Sequence, residues 1–358
     1  MQRDFHFYTI YTLSRCAGFG PKEAEIVACA SQFTDDATRE EPFYFENGGF
    51  FRPIVTAHNY HRWLGGLKAI TKEAGYQVWI PFHFMPGVEE PEEIKGRKEE
   101  RFYWRLRVCP VRLGDDSPLD QALKRLLDLR LKPYSFHLLG VALHVLADTW
   151  SHQGFIGLTR PENEVEDLDP DGNGVSFWEH LKDKFVDLIP NTGHAEALTI
   201  PDEPFRCWSY TDFWGKRREF DNVERCLFAA RACYEVLSEF GNKYLGKRKK
   251  RPFQEIEASL RKLFEKEGEL ENRCRWWQEA ISGSEFFQRN SDESPEYLEG
   301  AWFRRAIEVR YDLEKKETVY RWRPNFNESD FRLFHAAAAF WRFVVLHEIL
   351  PKVGVVCG

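Results

Sequence analysis

Residues 137–154 read His137-Leu-Leu-Gly-Val-Ala-Leu-His144-Val-Leu-Ala-Asp148-Thr-Trp-Ser-His152-Gln-Gly154, and the expected fold is built around them. A helix advances about 100° per residue, which places His144 at about −20° from His137, Asp148 at about +20° and His152 at about +60°. Four metal-capable side chains therefore share an arc of about 80° on one helix in an otherwise apolar sequence. Burying imidazoles and a carboxylate without partners is costly. A His-x-x-x-Asp pair at i, i+4 can present nitrogen and oxygen ligands to one divalent ion. The alternative is a carboxylate that simply accepts hydrogen bonds from core histidines.

Outward from this helix, which Pro133 starts, helices dominate the chain from residue 118 onward. They are expected over Gln121 to Leu131, Ser176 to Leu188, 218 to 245, 252 to 281 and Arg332 to Leu350. The first 36 residues read as two helices around Gly18-Phe-Gly-Pro21. The second ends in Thr34-Asp35-Asp36-Ala37. A helix C-terminus disfavours anions, so this acidic pair wants a cation nearby, unless Asp36 caps the next segment. Between 42 and 112 the pattern changes. Phe43-Tyr-Phe45 and Phe50-Phe-Arg52 flank an Asn47-Gly48 turn, and Tyr76 to Phe84 and Arg101 to Val108 alternate as strands do. The expectation is a mainly α protein: a multi-helix bundle with a small antiparallel β excursion. Residues 1–245 would form a metal-binding helical domain with the excursion near 42–112, and 246–358 a helical extension packed on it.

The chain has 358 residues, 43% hydrophobic, with a net charge of −7 that gives no support to a nucleic-acid partner. Its 30 Phe, 13 Tyr and 12 Trp against two Met predict a rigid, shape-specific core. No stretch reaches the roughly 18 consecutive apolar residues of a membrane span; Phe331 to Leu350 is interrupted by Arg332, His335, Arg342, His347 and Glu348. The first residues lack the apolar core of a signal peptide, and eight dispersed cysteines form no CxxC pair, so a cytoplasmic location is expected. Lys247 to Arg251 reads as a solvated loop, or as a phosphate-binding patch.

Further metal-capable residues are Asp4 and His6, Asp35 and Asp36, His58 and His61, and His194 in Asn191-Thr-Gly-His-Ala-Glu196. Together they suffice for two or three ions. The order of an N-terminal His, an Asp at a helix end, a mid-chain His, His144-x-x-x-Asp148 and a further His resembles the zinc-dependent phospholipase C and single-strand nuclease superfamily. That superfamily is all-helical with a trinuclear zinc cleft. The phrases DFHFY, ASQFTDDA, HVLADTWSHQGF and GHAEALTIPDEPF also resemble an uncharacterised bacterial family.

The superfamily resemblance implies that His144 and Asp148 are ligands, with Asp148 bridging toward the ion held by His6, and that His58 completes that ion's set. Asp35 or Asp36 would orient or deprotonate water, and His152 and His194 would hold another ion with Glu196. Those enzymes use an N-terminal Trp amine as a ligand; Asp4 would stand in for it here. The implied activity is metal-dependent hydrolysis of a small-molecule or lipid phosphoester, zinc being the expected ion. A non-catalytic binding or scaffold protein with a structural metal is the alternative. Separately, Asp169-Pro-Asp171-Gly-Asn173-Gly174 follows the spacing of a calcium loop, although position twelve is His180. It reads either as a calcium site over 169–180 or as an acidic turn capping the next helix.

Overall fold

The computed structural model describes residues 1–58, 75–89, 98–170, 197, 199–290, 293–314 and 316–356. At the N-terminus a π-helical turn (Asp4–Thr9) runs into α1 (Ile10–Cys16). Gly18, at φ +94°, ends it. Pro21 then opens α2 (Pro21–Asp36), where the Gly20 N–H donates back to Glu23 at 2.6 Å. β1 (Phe43–Tyr44) and β2 (Phe50–Phe51) form the antiparallel hairpin that the Asn-Gly turn predicts, with Gly48 and Gly49 both at positive φ.

A second π-helical turn (Gly75–Trp79) enters α3 (Ile80–Phe82), followed by α4 (Lys98–Arg105), α5 (Pro118–Leu127) and α6 (Ser135–Ser151). Next comes an antiparallel sheet in the order β3 (Val165–Asp169), β4 (Cys207–Asp212), β5 (Arg217–Asp221). The Asp221 carboxylate accepts from the Glu224 N–H at 3.2 Å and so caps α7 (Asn222–Tyr244). The chain continues through α8 (Phe253–Phe264), α9 (Leu270–Ser282) and α10 (Ala301–Ala306). The hairpin of β6 (Ile307–Asp312) and β7 (Glu317–Trp322) then leads to α11 (Asp330–Phe343).

Outside the arc that carries His137, His144 and Asp148, α6 is apolar around its circumference, so it is interior. Every one of its residues except Phe136 is buried, and it packs against α2, α7 and α11. Gly140 makes the α2 contact possible. A Cβ there would overlap the Val27 carbonyl oxygen and stand 2.6 Å from the Ala30 Cβ and 3.0 Å from the Ser31 nitrogen. The missing side chain lets the two backbones approach closely, which brings the C-terminal end of α2 beside the middle of α6. The main hydrophobic core is continuous from Phe5 through α6 and α7 to Leu350. A smaller one, containing Trp79, Phe84, Phe155, Trp208 and Tyr210, lies against the β3–β5 sheet. Asp330–Val353 is long and apolar enough to cross a membrane, but 56% of its most apolar window is buried against the rest of the chain, as in a core helix. The seven described cysteines are free thiols, five of them buried.

The helical bundle with one β excursion is not what forms: the protein is a mixed α and β structure, with three separate antiparallel sheets among the described residues. Of the two segments expected as strands, Tyr76 to Phe84 is helical over 76–82 and Arg101 to Val108 over 101–105; in the first the apolar residues are buried from several sides rather than on one sheet face. Pro81 also suits a first helical turn better than a ladder. Conversely, residues 218–221, expected to begin a long helix, lie in β5, and two further strands lie at 307–322. The segment 252–281 is split into α8 and α9 near Gly268.

Candidate metal centre

Five elements deliver polar side chains to one point. The π-helical turn supplies His6, the end of α2 supplies Asp35, and His83 follows α3 directly. α6 supplies His144, Asp148 and, at its C-cap, His152; the short 3-10 turn Ile200–Asp202 supplies Asp202. Asp148 is the hub. Its Oδ1 lies 2.9 Å from the Met1 amine and 3.2 Å from His6 Nε2. Its Oδ2 lies 3.1 Å from His83 Nδ1, 3.2 Å from His144 Nε2 and 3.7 Å from His152 Nδ1. Asp35 stands opposite, 3.7 Å from His144 Nε2, 3.8 Å from His83 Nδ1 and 4.0 Å from His6 Nε2. Asp202 closes the far side, 2.9 Å from the Met1 amine and 3.5 Å from His152 Nε2.

Hydrogen bonds on the outer side of the rings fix which nitrogen faces inward. His83 Nε2 is 2.9 Å from the Thr56 carbonyl oxygen, which can only accept, so Nε2 carries the proton. Its Nδ1 faces inward, 3.1 Å from both Asp148 Oδ2 and His144 Nε2. By the same reasoning His152 Nδ1 donates to the His83 carbonyl at 2.9 Å, leaving the Nε2 lone pair toward Asp202. Neither ring nitrogen of the fully buried His6 makes a hydrogen bond, and His6 stacks on His144 with ring centroids 3.9 Å apart.

Electrostatics reinforce this. Burial, and secondarily the Met1 amine, lowers His6 to about 4, with Asp148 opposing only in part. Burial and the neighbouring His6 hold His144 well below the ordinary histidine range. Burial alone would raise Asp148, but the Met1 amine, His152, His144 and His6 outweigh it and hold the carboxyl well below its usual range. Asp35 moves the other way: enclosure, then repulsion from Asp148, raises it well above the ordinary carboxylate range, although a third of its side chain is accessible.

Lone pairs converging on carboxylate oxygens repel unless a cation sits between them, and imidazoles anchored from behind by backbone carbonyls are the usual outer layer of a metal site. Two overlapping ligand sets are present, His6/His144/Asp148 and Asp35/His83/His144, each with its donor atoms within 4.8 Å of one another. Tetrahedral zinc at about 2.1 Å from its ligands separates them by about 3.4 Å, close to the spacing found. These residues fit a divalent ion.

Of the residues expected from sequence, His6, Asp35, His144, Asp148 and His152 meet here. Asp4 does not: its carboxylate accepts from Arg273 Nε at 2.7 Å and from the Phe5 N–H. Asp36 points away from its neighbour, bonded by the Tyr297 hydroxyl and by Gln32, and burial raises it to about 6. His58 is 3.4 Å from Glu40, and its ring packs on Trp79, which packs on His83 in turn. His61, His194 and Glu196 lie outside the described residues. So do Asp171, Asn173 and His180 of the calcium-loop pattern, whereas Asp169 pairs with Ser209 across the β3–β4 ladder. Lys247–Arg251 is tied to the body: Arg248 pairs with Glu23 and Lys250 with Asn242.

His83, Asp202 and the Met1 amine were not expected from sequence. His83 sits in Ile80-Pro-Phe-His-Phe-Met-Pro86, where a lone imidazole among apolar residues was the available signal. The model of a family of unknown function, DUF6765, matches residues 1–349. No curated protein and no solved structure matches the chain.

Proposed function

We propose, for this chain that belongs to the DUF6765 family, that it is a metal-dependent hydrolase of phosphoesters, small-molecule or lipid. The observation that carries the reading is the pair of overlapping ligand sets sharing His144, gathered from segments far apart in sequence. His6, His144 and Asp148 would hold a divalent ion, zinc being the best match to the nitrogen-rich donors, and Asp35 and His83 form with the same His144 nitrogen an alternative set for it, since one imidazole nitrogen binds one ion. A divalent ion there supplies Lewis acidity toward a phosphoryl oxygen and makes water more acidic. Asp35 alone in the cluster keeps substantial accessibility, so it meets an approaching substrate and water first. With a cation bound beside it Asp35 would be ionised despite its enclosure, and its carboxylate would then orient the attacking water and take its proton. Thr56 and the His83 carbonyl keep the imidazole lone pairs inward throughout. The order of these residues, which resembles that of the zinc-dependent phospholipase C and nuclease superfamily, supports the same chemistry.

Near-complete burial of every ligand except Asp35 favours a second reading, a closed structural ion in a non-catalytic protein. The experiment that separates them assays chelator-stripped and reloaded protein on phosphodiesters and phosphomonoesters. Turnover that disappears with chelator and in Asp35→Asn supports the hydrolase. Stoichiometric metal without turnover by any loaded ion favours the structural reading.

A further inference from the structure

We infer that Asn222 and Arg225, in the first turn of α7, are positioning residues that hold the end of α6 and the Ile200–Asp202 turn in register, so that Asp148, His152 and Asp202 converge. The inference rests on the metal reading above and concerns residues that touch none of the ligand atoms.

Arg225 is buried, and among the described residues no carboxylate forms an ion pair with it. A guanidinium in that position is costly unless its donors are otherwise met. They are met by the last turn of α6: Nε donates to the Trp150 carbonyl at 2.6 Å and Nη2 to the Ser151 carbonyl. Terminal carbonyls of a helix have no intrahelical partner and carry partial negative charge, so they suit a buried cation. Nη1 donates to Asn222 Oδ1 at 2.8 Å, and the guanidinium carbon lies 4.5 Å from the centre of the Phe220 ring.

Asn222 carries the linkage onward. Its amide nitrogen donates to the Ile200 and Glu203 carbonyls, both at 2.8 Å, which bracket Asp202. Its oxygen also accepts from Trp208 Nε1 at 3.0 Å. Two donated and two accepted bonds exhaust the amide's capacity and fix its orientation. One side of this pair therefore grips the helix end that bears Asp148 and His152, and the other grips the turn that bears Asp202. Asp202 in turn lies 3.5 Å from His152 Nε2. Lysine, with a single nitrogen, cannot span both carbonyls and Asn222 in place of the planar fork.

The test is titration of metal-free full-length protein with Co²⁺, reading affinity and visible absorption together. Arg225→Lys and Asn222→Ser should each bind at least tenfold more weakly than wild type, with an altered absorption band reporting a changed ligand arrangement. Tyr244→Phe, at the far end of the same helix, removes hydrogen bonds to the Leu127 and Leu129 carbonyls and should leave both readouts as in wild type. Affinities within twofold of wild type with an unchanged spectrum would overturn the inference while leaving the metal reading intact; wild-type protein that takes up no Co²⁺ would overturn both. Should the two variants fail to fold, amide exchange in wild type decides. Co²⁺ should slow exchange at 199–203 and 222–226 by tenfold or more relative to the end of α7, and equal rates with and without the ion would refute the coupling.

Discussion

Replacing Gly140 with Ala sets two effects of opposite sign against each other, and the α2–α6 contact decides which prevails. In an ordinary helix the change stabilises by about 1 kcal/mol, because alanine loses less backbone freedom on folding. Here the added methyl would stand 2.6 Å from the Ala30 Cβ, 3.0 Å from the Ser31 nitrogen, and in overlap with the Val27 carbonyl oxygen. Ordinary contact begins near 3.4 Å, so α2 must move off α6 by about 1 Å. Two of the three obstructing atoms are backbone and no rotamer change relieves them. The cost then sits at the upper end of overpacking, about 3 kcal/mol, giving a net loss of about 2 kcal/mol. Asp35 lies two turns beyond Val27 on the same helix, so the displacement also draws it from His83 and His144. An error of that size at a coordinating group should weaken metal binding by about tenfold or more. Urea unfolding of metal-free protein measures the first effect and Co²⁺ titration the second. A variant as stable as wild type, or more so, would refute the claim that this glycine sets the spacing of the two site-bearing helices.

Three further outcomes are expected. Arg273→Met leaves the buried Asp4 carboxylate without its partner and should cost about 3–5 kcal/mol in urea unfolding, much of it recovered in the double variant with Asp4→Asn. His335, whose Nδ1 accepts from the Ile54 N–H amid Phe33, Phe51 and Phe331, is lowered by burial to about 3. It stays neutral when folded while the unfolded chain takes up its proton below about 6.5, so stability falls as pH drops. From pH 6.5 to 5 wild type should lose about 1.6 kcal/mol more than His335→Gln, and equal slopes would contradict the assignment. Zinc at about 100 times its dissociation constant should raise the unfolding free energy of metal-free protein by about 2.7 kcal/mol, read as a chelator-reversible increase in melting temperature.

The heart of the site was legible because it lies within one helix: a spacing of four residues fixes where His144, Asp148 and His152 project, whatever surrounds them. Which member of the Asp35-Asp36 pair faces inward was not, since adjacent helical residues differ by about 100° and only the packing of α2 selects one. His83 was hidden because its segment alternates like a strand, and alternation in a short run buried from several sides does not distinguish strand from helix. Asp4 lies two residues before His6 yet faces away from the site. Its partner is Arg273, almost the whole chain away, and no local pattern announces such an ion pair. The later sheets had a local signal: Ile307-Glu-Val-Arg-Tyr-Asp312 and Glu317-Thr-Val-Tyr-Arg-Trp322 both alternate with period two. Most of these residues are exposed or half-buried, so one face of the hairpin carries little apolar weight against the helical pattern on either side.

The most direct test of the cation-filled pocket is metal stoichiometry in wild type and in His144→Ala, the one ligand shared by both sets. Protein reloaded with zinc and freed of excess should carry one ion per chain, and His144→Ala, folded by circular dichroism, should carry none. Wild type without bound zinc, or a His144→Ala protein that retains the full complement, would contradict the account.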